Sequence, residues 1–415
     1  MINLHIGEAI MFKEYTVNDI IDEIIDYRGK TPKKLGGDWS KVPTNYMALS
    51  AKNIKNGRIV QTDSIRFVSE NMYKKWMKQE VDKGTILITS EAPFGELLYW
   101  DSDEKIVLSQ RLFGLKIKEE FNARYVYYYM LSNMFQSELC GRATGSTVTG
   151  LRQPELLKCS IKIPKREIQD KIASILTRVD NKINLNTNIN NNLYDEMQFL
   201  YNEWFKEFNP FKNNQFKDTV LGKIPEKFTI EDIYSISSVI YGAPFKSNLF
   251  NEEKNGKPII RIRDLKNQDM KTYTPENHPK GYLLQKGDIT VGMDGEFRPY
   301  FWGNDEAWLN QRVCVFDNKR KKGKAFLYYT LKPLLSFIEK TEVATTVIHI
   351  GKNDFDEFKI ILPDEDTLDK FDEITNPMVW QIVQNMIQNH RLENLRDTLL
   401  PKLMNGGIDL DNIEI

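Results

Sequence analysis

The chain has 415 residues, 41% of them hydrophobic, with 57 Lys and Arg set against 58 Asp and Glu for a formal net charge of −1. That length supplies more than one ordinary core, and the charge balance excludes polyanion binding through overall charge while leaving room for a basic face. No apolar run is long enough to span a bilayer. Glu8 interrupts the apolar run near the start, so no signal peptide is expected. Cys140, Cys159 and Cys314 lack metal or redox spacing, and the expected setting is reducing and cytoplasmic.

In chain order, a first domain is expected over 1–163, with its globular unit at 12–163. Runs at 46–49, 85–89, 96–100 and 160–163 read as strands, and 65–79 and 122–139 as helices. A long helix follows over 164–208, with Ile168, Ile172, Ile175, Val179, Ile183, Leu193, Met197, Leu200 and Trp204 recurring at threes and fours. The asparagine-rich stretch 184–192 interrupts that seam. It is either a loop between two shorter helices or part of one helix whose polar seam residues fix register. Residues 209–226, with Asn209-Pro210 and Gly222–Pro225, read as a linker. The second unit is expected over 227–362, with strands at 258–262, 288–291 and 312–316 and a helix at 324–340. A final helix and tail occupy 363–415, where Leu368, Phe371, Ile374, Ile382, Met386, Leu392, Leu395 and Leu399 repeat the helical spacing and Pro377 weakens one turn.

The two units echo each other. Pro164 follows Val148 of Gly-Ser-Thr-Val by 16 residues, and Pro363 follows Val347 of Thr-Thr-Val by 16. Lys83-Gly84-Thr85-Ile86 matches Lys286-Gly287-Asp288-Ile289, Gln110-Arg111 matches Gln311-Arg312, and Tyr127-Tyr128 matches Tyr328-Tyr329. Ordered echoes at a near-constant offset mark a duplicated α+β unit. Two long helices, each unstable without an apolar partner, are expected to pack antiparallel.

Catalytic motifs are not found. Gly29-Lys30-Thr31 has Ile24 where a phosphate loop needs glycine, and Pro32 blocks the following helix. Asp354, Glu357 and Lys359 resemble a nuclease cluster, but Lys158 and Ser160 occupy the last two positions in the duplicate. The four histidines form no short-range ligand cluster, so no metal is expected. The pattern favours binding. In the first unit Arg28, Lys30, Lys33, Lys34, Lys52, Asn53, Lys55, Arg58, Arg142, Thr144, Ser146 and Thr147 lie in loops rich in cations, amides and hydroxyls. In the second, Lys246, Arg261, Arg263, Lys266, Thr345, Thr346 and His349 do. Such side chains can hold phosphates or read base edges. Gln110-Arg111 and Gln311-Arg312 adjoin strands and are read as fixing the neighbouring loop.

The duplicated Lys-Gly-Thr/Asp-Ile and Gln-Arg motifs, and Thr-Gly-Ser-Thr-Val followed by Ile-Lys-Ile-Pro and a long helix, resemble the specificity (S) subunits of type I restriction-modification systems. The resemblance covers essentially the whole chain. It implies two DNA target recognition domains, each reading half of a split, asymmetric DNA sequence, separated by two long antiparallel coiled-coil-like helices. It further implies double-stranded DNA, two methyltransferase (M) subunits and restriction (R) subunits as partners. S-adenosylmethionine would belong to the M subunit, ATP and Mg to the R subunit, and no cofactor or catalytic residue to this chain. The second unit departs from the pattern, with Ala344-Thr345-Thr346 in place of Thr144-Gly145-Ser146. The competing expectations are a repeat-built protein–protein scaffold without DNA recognition, and a fused enzyme that transfers methyl groups by itself.

Overall fold

The computed structural model describes residues 11–143, 150–341, 349–408 and 410. The chain divides into two compact units, one of residues 1–181 with 394–415 and one of residues 182–393. Each unit is α+β, and each is built on the same plan.

In the first unit, strands Ile21–Asp26, Leu112–Ile117, Ile86–Thr89 and Leu97–Tyr99 form an antiparallel sheet in that spatial order. In the second, Ser237–Tyr241, Val313–Asn318, Ile289–Gly292 and Pro299–Phe301 do the same. Each unit adds a three-stranded sheet. Met47–Leu49 pairs antiparallel with Arg66–Phe67 and parallel with Ile106–Leu108. Lys257–Ile260 pairs antiparallel with Tyr273–Thr274 and parallel with Trp308–Leu309. A two-stranded pair closes each unit: Lys13–Thr16 with Ser160–Ile163, and Thr229–Asp232 with Lys359–Leu362.

The main sheet is buried on both faces, which explains why its strands read as apolar runs. Side chains alternate across a strand. Ile86 and Ile88 therefore join the core beneath the Tyr-rich helix, while Leu87 joins the core shared with Leu49 and Ile106. Likewise Cys314 and Phe316 face one core of the second unit, and Val313 and Val315 the other. Gly84 and Gly287 both take positive φ, 98° and 83°, just before these strands. A left-handed turn at that point accounts for the repeated Lys-Gly.

The helix expected at 122–139 is two helices, Ala123–Leu131 and Asn133–Gly141. Ser132 ends the first and caps the second, its hydroxyl accepting from the Phe135 N–H at 3.4 Å. The second unit keeps one helix, Lys324–Thr341, with Pro333 inside it. The expected helix 65–79 is shorter, Glu70–Trp76, because Ser69 caps its start. Residues 209–226, expected as a linker, contain a hairpin of Phe216–Thr219 with Gly222–Pro225, and Phe211 packs on Phe228 at 5.1 Å.

The long helices are Arg166–Phe205 and Glu365–Met404, both unbroken. The asparagine-rich stretch is therefore helix. Within the second unit the two helices run antiparallel, and buried asparagines make the contacts between them. Asn186 Nδ2 donates to Gln388 Oε1 at 2.7 Å and to Asn389 Oδ1 at 2.9 Å. Asn385 Nδ2 donates to Asn190 Oδ1 at 2.8 Å, and Phe205 meets Phe371 at 4.8 Å. Within the first unit Arg396 donates to Asp180 at 3.0 Å, and the Tyr128 hydroxyl donates to the same carboxylate at 2.7 Å.

Of the residues expected in the helical seam, Ile172, Ile183, Met197, Phe371 and Ile382 are buried. Ile175, Val179, Leu193, Leu200, Met386, Leu392 and Leu399 are half-buried. Ile374 and Leu395 are corrections: both are exposed, at 47%. The seam passes instead through Phe371, Thr375, Val379 and Ile382, leaving Ile374 one position off, while Arg396 supplies the contact beside Leu395.

Candidate nucleic-acid interface

The strand at 47–49 runs into a 3-10 turn, Ala51–Asn53, and the strand at 257–260 into its counterpart, Ile262–Asp264. Both turns are closed by the same device. Asn53 Oδ1 accepts from the Ser50 N–H at 3.1 Å and from the Ser50 hydroxyl at 2.7 Å. Asp264 Oδ2 accepts from the Arg261 N–H and from Arg261 Nε, both at 3.1 Å. Each turn places an exposed cation at the same position, Lys52 in one unit and Arg263 in the other.

A second set of matched loops is tied together by backbone bonds. In the first unit the Ser90 N–H donates to the Arg111 carbonyl at 2.8 Å, and the Leu151 N–H to the Ser90 carbonyl at 2.9 Å. In the second, the Met293 N–H donates to the Arg312 carbonyl and the Ile350 N–H to the Met293 carbonyl, both at 2.9 Å. The cation turns belong to the same assembly: the Ser109 N–H donates to the Leu49 carbonyl at 2.8 Å, and the Asn310 N–H to the Ile260 carbonyl at 3.1 Å. Arg111 pairs with Glu91 at 3.3 Å and Arg312 with Asp294 at 3.7 Å. The Gln-Arg loops, the cation turns and the segments at Ser90 and Leu151, or Met293 and Ile350, are thus gathered at one end of each main sheet.

Residues 11–194 and 225–390 match the family model for the type I restriction modification DNA specificity domain. This chain belongs to that family. It is a specificity subunit. The MjaIX specificity subunit of Methanocaldococcus jannaschii is 27% identical over 367 residues, covering 84% of this chain and 83% of that one. The HindI specificity subunit of Haemophilus influenzae is 24% identical over 407 residues, covering 80% and 88%. The crystal structure of a type I restriction-modification S subunit from M. genitalium shares the fold, with a TM-score of 0.59, 17% identity, and coverage of 96% of this chain and 98% of that one.

Several residues of this specificity subunit that read as DNA-facing make contacts within their own unit. The Arg28 guanidinium is bidentate to Asp26 at 2.9 Å, stacks 3.9 Å from the Phe113 ring, and donates to the Leu151 carbonyl at 3.3 Å. It positions the matched loop instead of projecting from it. Asn53 is 1% exposed and closes the cation turn, so it is corrected from a DNA contact to a loop-shaping residue. Arg261 is held by Asp264 and Thr272. Lys30 donates to the Trp76 carbonyl at 3.1 Å, and Lys34 to the Gly29 carbonyl at 2.8 Å. Arg142 is paired with Glu138, whose hydrogen bond raises the guanidinium pKa. His349 pairs with Asp294. Lys33, Lys52, Lys55, Arg58, Lys246, Arg263 and Lys266 are exposed. Thr144, Ser146, Thr147, Thr345 and Thr346 lie outside the described residues.

Sequence reading missed two things. The match of Lys52 with Arg263 has an offset of 211, unlike the echoes near 200, because the loops between the strands differ in length. The acids Glu91 and Asp294 carried one available signal, a nearby Phe-Gly or Gly-Glu-Phe. Among the described residues, no helix is long and apolar enough to cross a membrane.

Proposed function

We propose that this specificity subunit is the non-catalytic, sequence-reading part of a type I restriction-modification complex. Each unit reads one half of a bipartite, asymmetric double-stranded DNA target, and the long helices set the number of unread base pairs between the halves. Two methyltransferase subunits dock on this chain and bring S-adenosylmethionine; restriction subunits bring ATP and Mg. The observation that carries the reading is one scaffold built twice with unlike loops at the same sheet end. A duplicated frame presents two readers, and unlike loops let them read unlike sequences.

The test is to co-express the chain with its methyltransferase partner and map the methylated positions in plasmid DNA. The reading predicts a two-part motif with a fixed unread gap. A continuous motif, or methylation by this chain alone, would contradict it.

A further inference from the structure

The two units differ in most of their loop cations. Arg28 follows the first sheet strand, whereas the matching position of the second unit, found by strand register, is Ala243. Against that divergence, three cations recur in register, one of them Lys55 with Lys266, both exposed and at the same offset of 211 as Lys52 with Arg263. Lys52 and Arg263 occupy the middle of the matched 3-10 turns. Arg111 and Arg312 follow the matched strands and carry the matched backbone bonds to Ser90 and Met293. Both arginines are about half exposed, 47% and 56%, and their carboxylate contacts of 3.3 and 3.7 Å are loose for charge-assisted hydrogen bonds. Arg111 also takes a φ of 67°, a conformation that side chains disfavour. Such strain persists only where surrounding structure enforces it.

If the half-sites differ, a side chain reading bases has no reason to recur at matched positions. The sugar–phosphate backbone is the part of DNA common to both halves. We propose, resting on the DNA-reading function above, that Lys52 with Arg111 and Arg263 with Arg312 form a duplicated phosphate-contact pair. Glu91 and Asp294 hold the arginines in the free protein and yield them to phosphate on binding. The unmatched loops carry the base contacts.

The test uses the chain assembled with its methyltransferase subunits. Binding is measured against salt concentration on a duplex bearing the mapped target and on poly(dI-dC). Arg111→Gln and Arg312→Gln are each expected to weaken both DNAs by the same factor and to lower the salt slope by about 0.9. Arg111→Lys should keep the wild-type slope. Glu91→Gln should strengthen binding to both DNAs, and that gain should be lost when it is combined with Arg111→Gln, whereas simple loss of a repelling charge would persist in the double variant. Unchanged affinity and slope in folded Gln variants would overturn the proposal, as would a loss confined to one base pair. If the wild-type complex itself shows no preference for the mapped target, the DNA-reading function fails and this inference falls with it.

Discussion

The two units share a backbone and part company at its edges. Sheet order, strand direction, the Lys-Gly turn and the bridge from Arg111 or Arg312 to the preceding loop are the same in both. The first unit secures the end of its leading strand with Arg28, Asp26 and Phe113. The second does it by close approach: Gly242 lies where a Cβ would sit 2.0 Å from the Asn310 carbonyl oxygen. The same frame can therefore be locked by a cation cluster or by a glycine. Loops mounted on it are free to diverge while the frame is not.

The largest expected effect breaks the comparison at the long helices. In the second unit Arg320 binds Glu365, Asp369 and Asp372, and the Asp372 side chain is 1% exposed. Arg320→Ala strands that carboxylate and should destabilise the second unit by ~3 kcal/mol in urea unfolding. Burial holds the Asp372 pKa above its ordinary value, against the pull of Arg320. A carboxyl with a raised folded pKa contributes stability that is present at low pH and lost as pH rises through that value. The deficit of the Arg320→Ala variant should therefore shrink as the pH is lowered. A deficit that grows in acid would contradict this account.

The asparagine contacts come next. Asn190→Leu alone should cost roughly 1–3 kcal/mol, because the buried Asn385 amide loses its acceptor. The double variant Asn190→Leu, Asn385→Leu should regain stability and loosen the register of the helices. Thermal melting reads the first effect. Methylation mapping reads the second, as a motif whose gap is no longer single-valued.

Glycine substitutions sharpen the contrast between strand ends. Gly242→Ala meets backbone atoms that cannot swing away and should destabilise by about 1–3 kcal/mol. Gly29→Ala, with nothing within 4 Å of its added carbon, should be tolerated. The smallest effect concerns the thiols. Burial pushes Cys159 up to about 12 and Cys314 higher still, while Cys140 is exposed. A thiol reagent at neutral pH should label the native chain at Cys140 and reach the other two only after unfolding.

The duplication was legible because it lies in residues with strict backbone duties. Gly84 and Gly287 need a left-handed turn, and the Pro164 and Pro363 segments follow matched strands. The long helices were legible from apolar spacing. Their asparagine stretch was ambiguous, because helix propensity does not register a partner: Asn186 and Asn190 are buried against Gln388, Asn389 and Asn385, far away in sequence. The site was only partly legible. A cation in a polar loop looks alike whether it projects, as Lys52 does, or is folded back onto its own unit, as Arg28 is. Loop composition cannot separate the two, because the deciding partners, Asp26, Phe113 and Leu151, come from three segments.

The claim that each unit reads one half-site is tested most directly by competition binding of variants of the assembled complex. The competitors are DNAs altered in one half of the mapped target at a time. Lys33→Ala and Lys55→Ala, in the first unit, should leave discrimination against changes in one half as it was and either relax the other half or weaken all DNAs equally. Lys246→Ala and Lys266→Ala should do the reverse. Each lost base contact is worth ~1–3 kcal/mol at one base pair. Substitutions in both units that relax the same half-site would contradict the account.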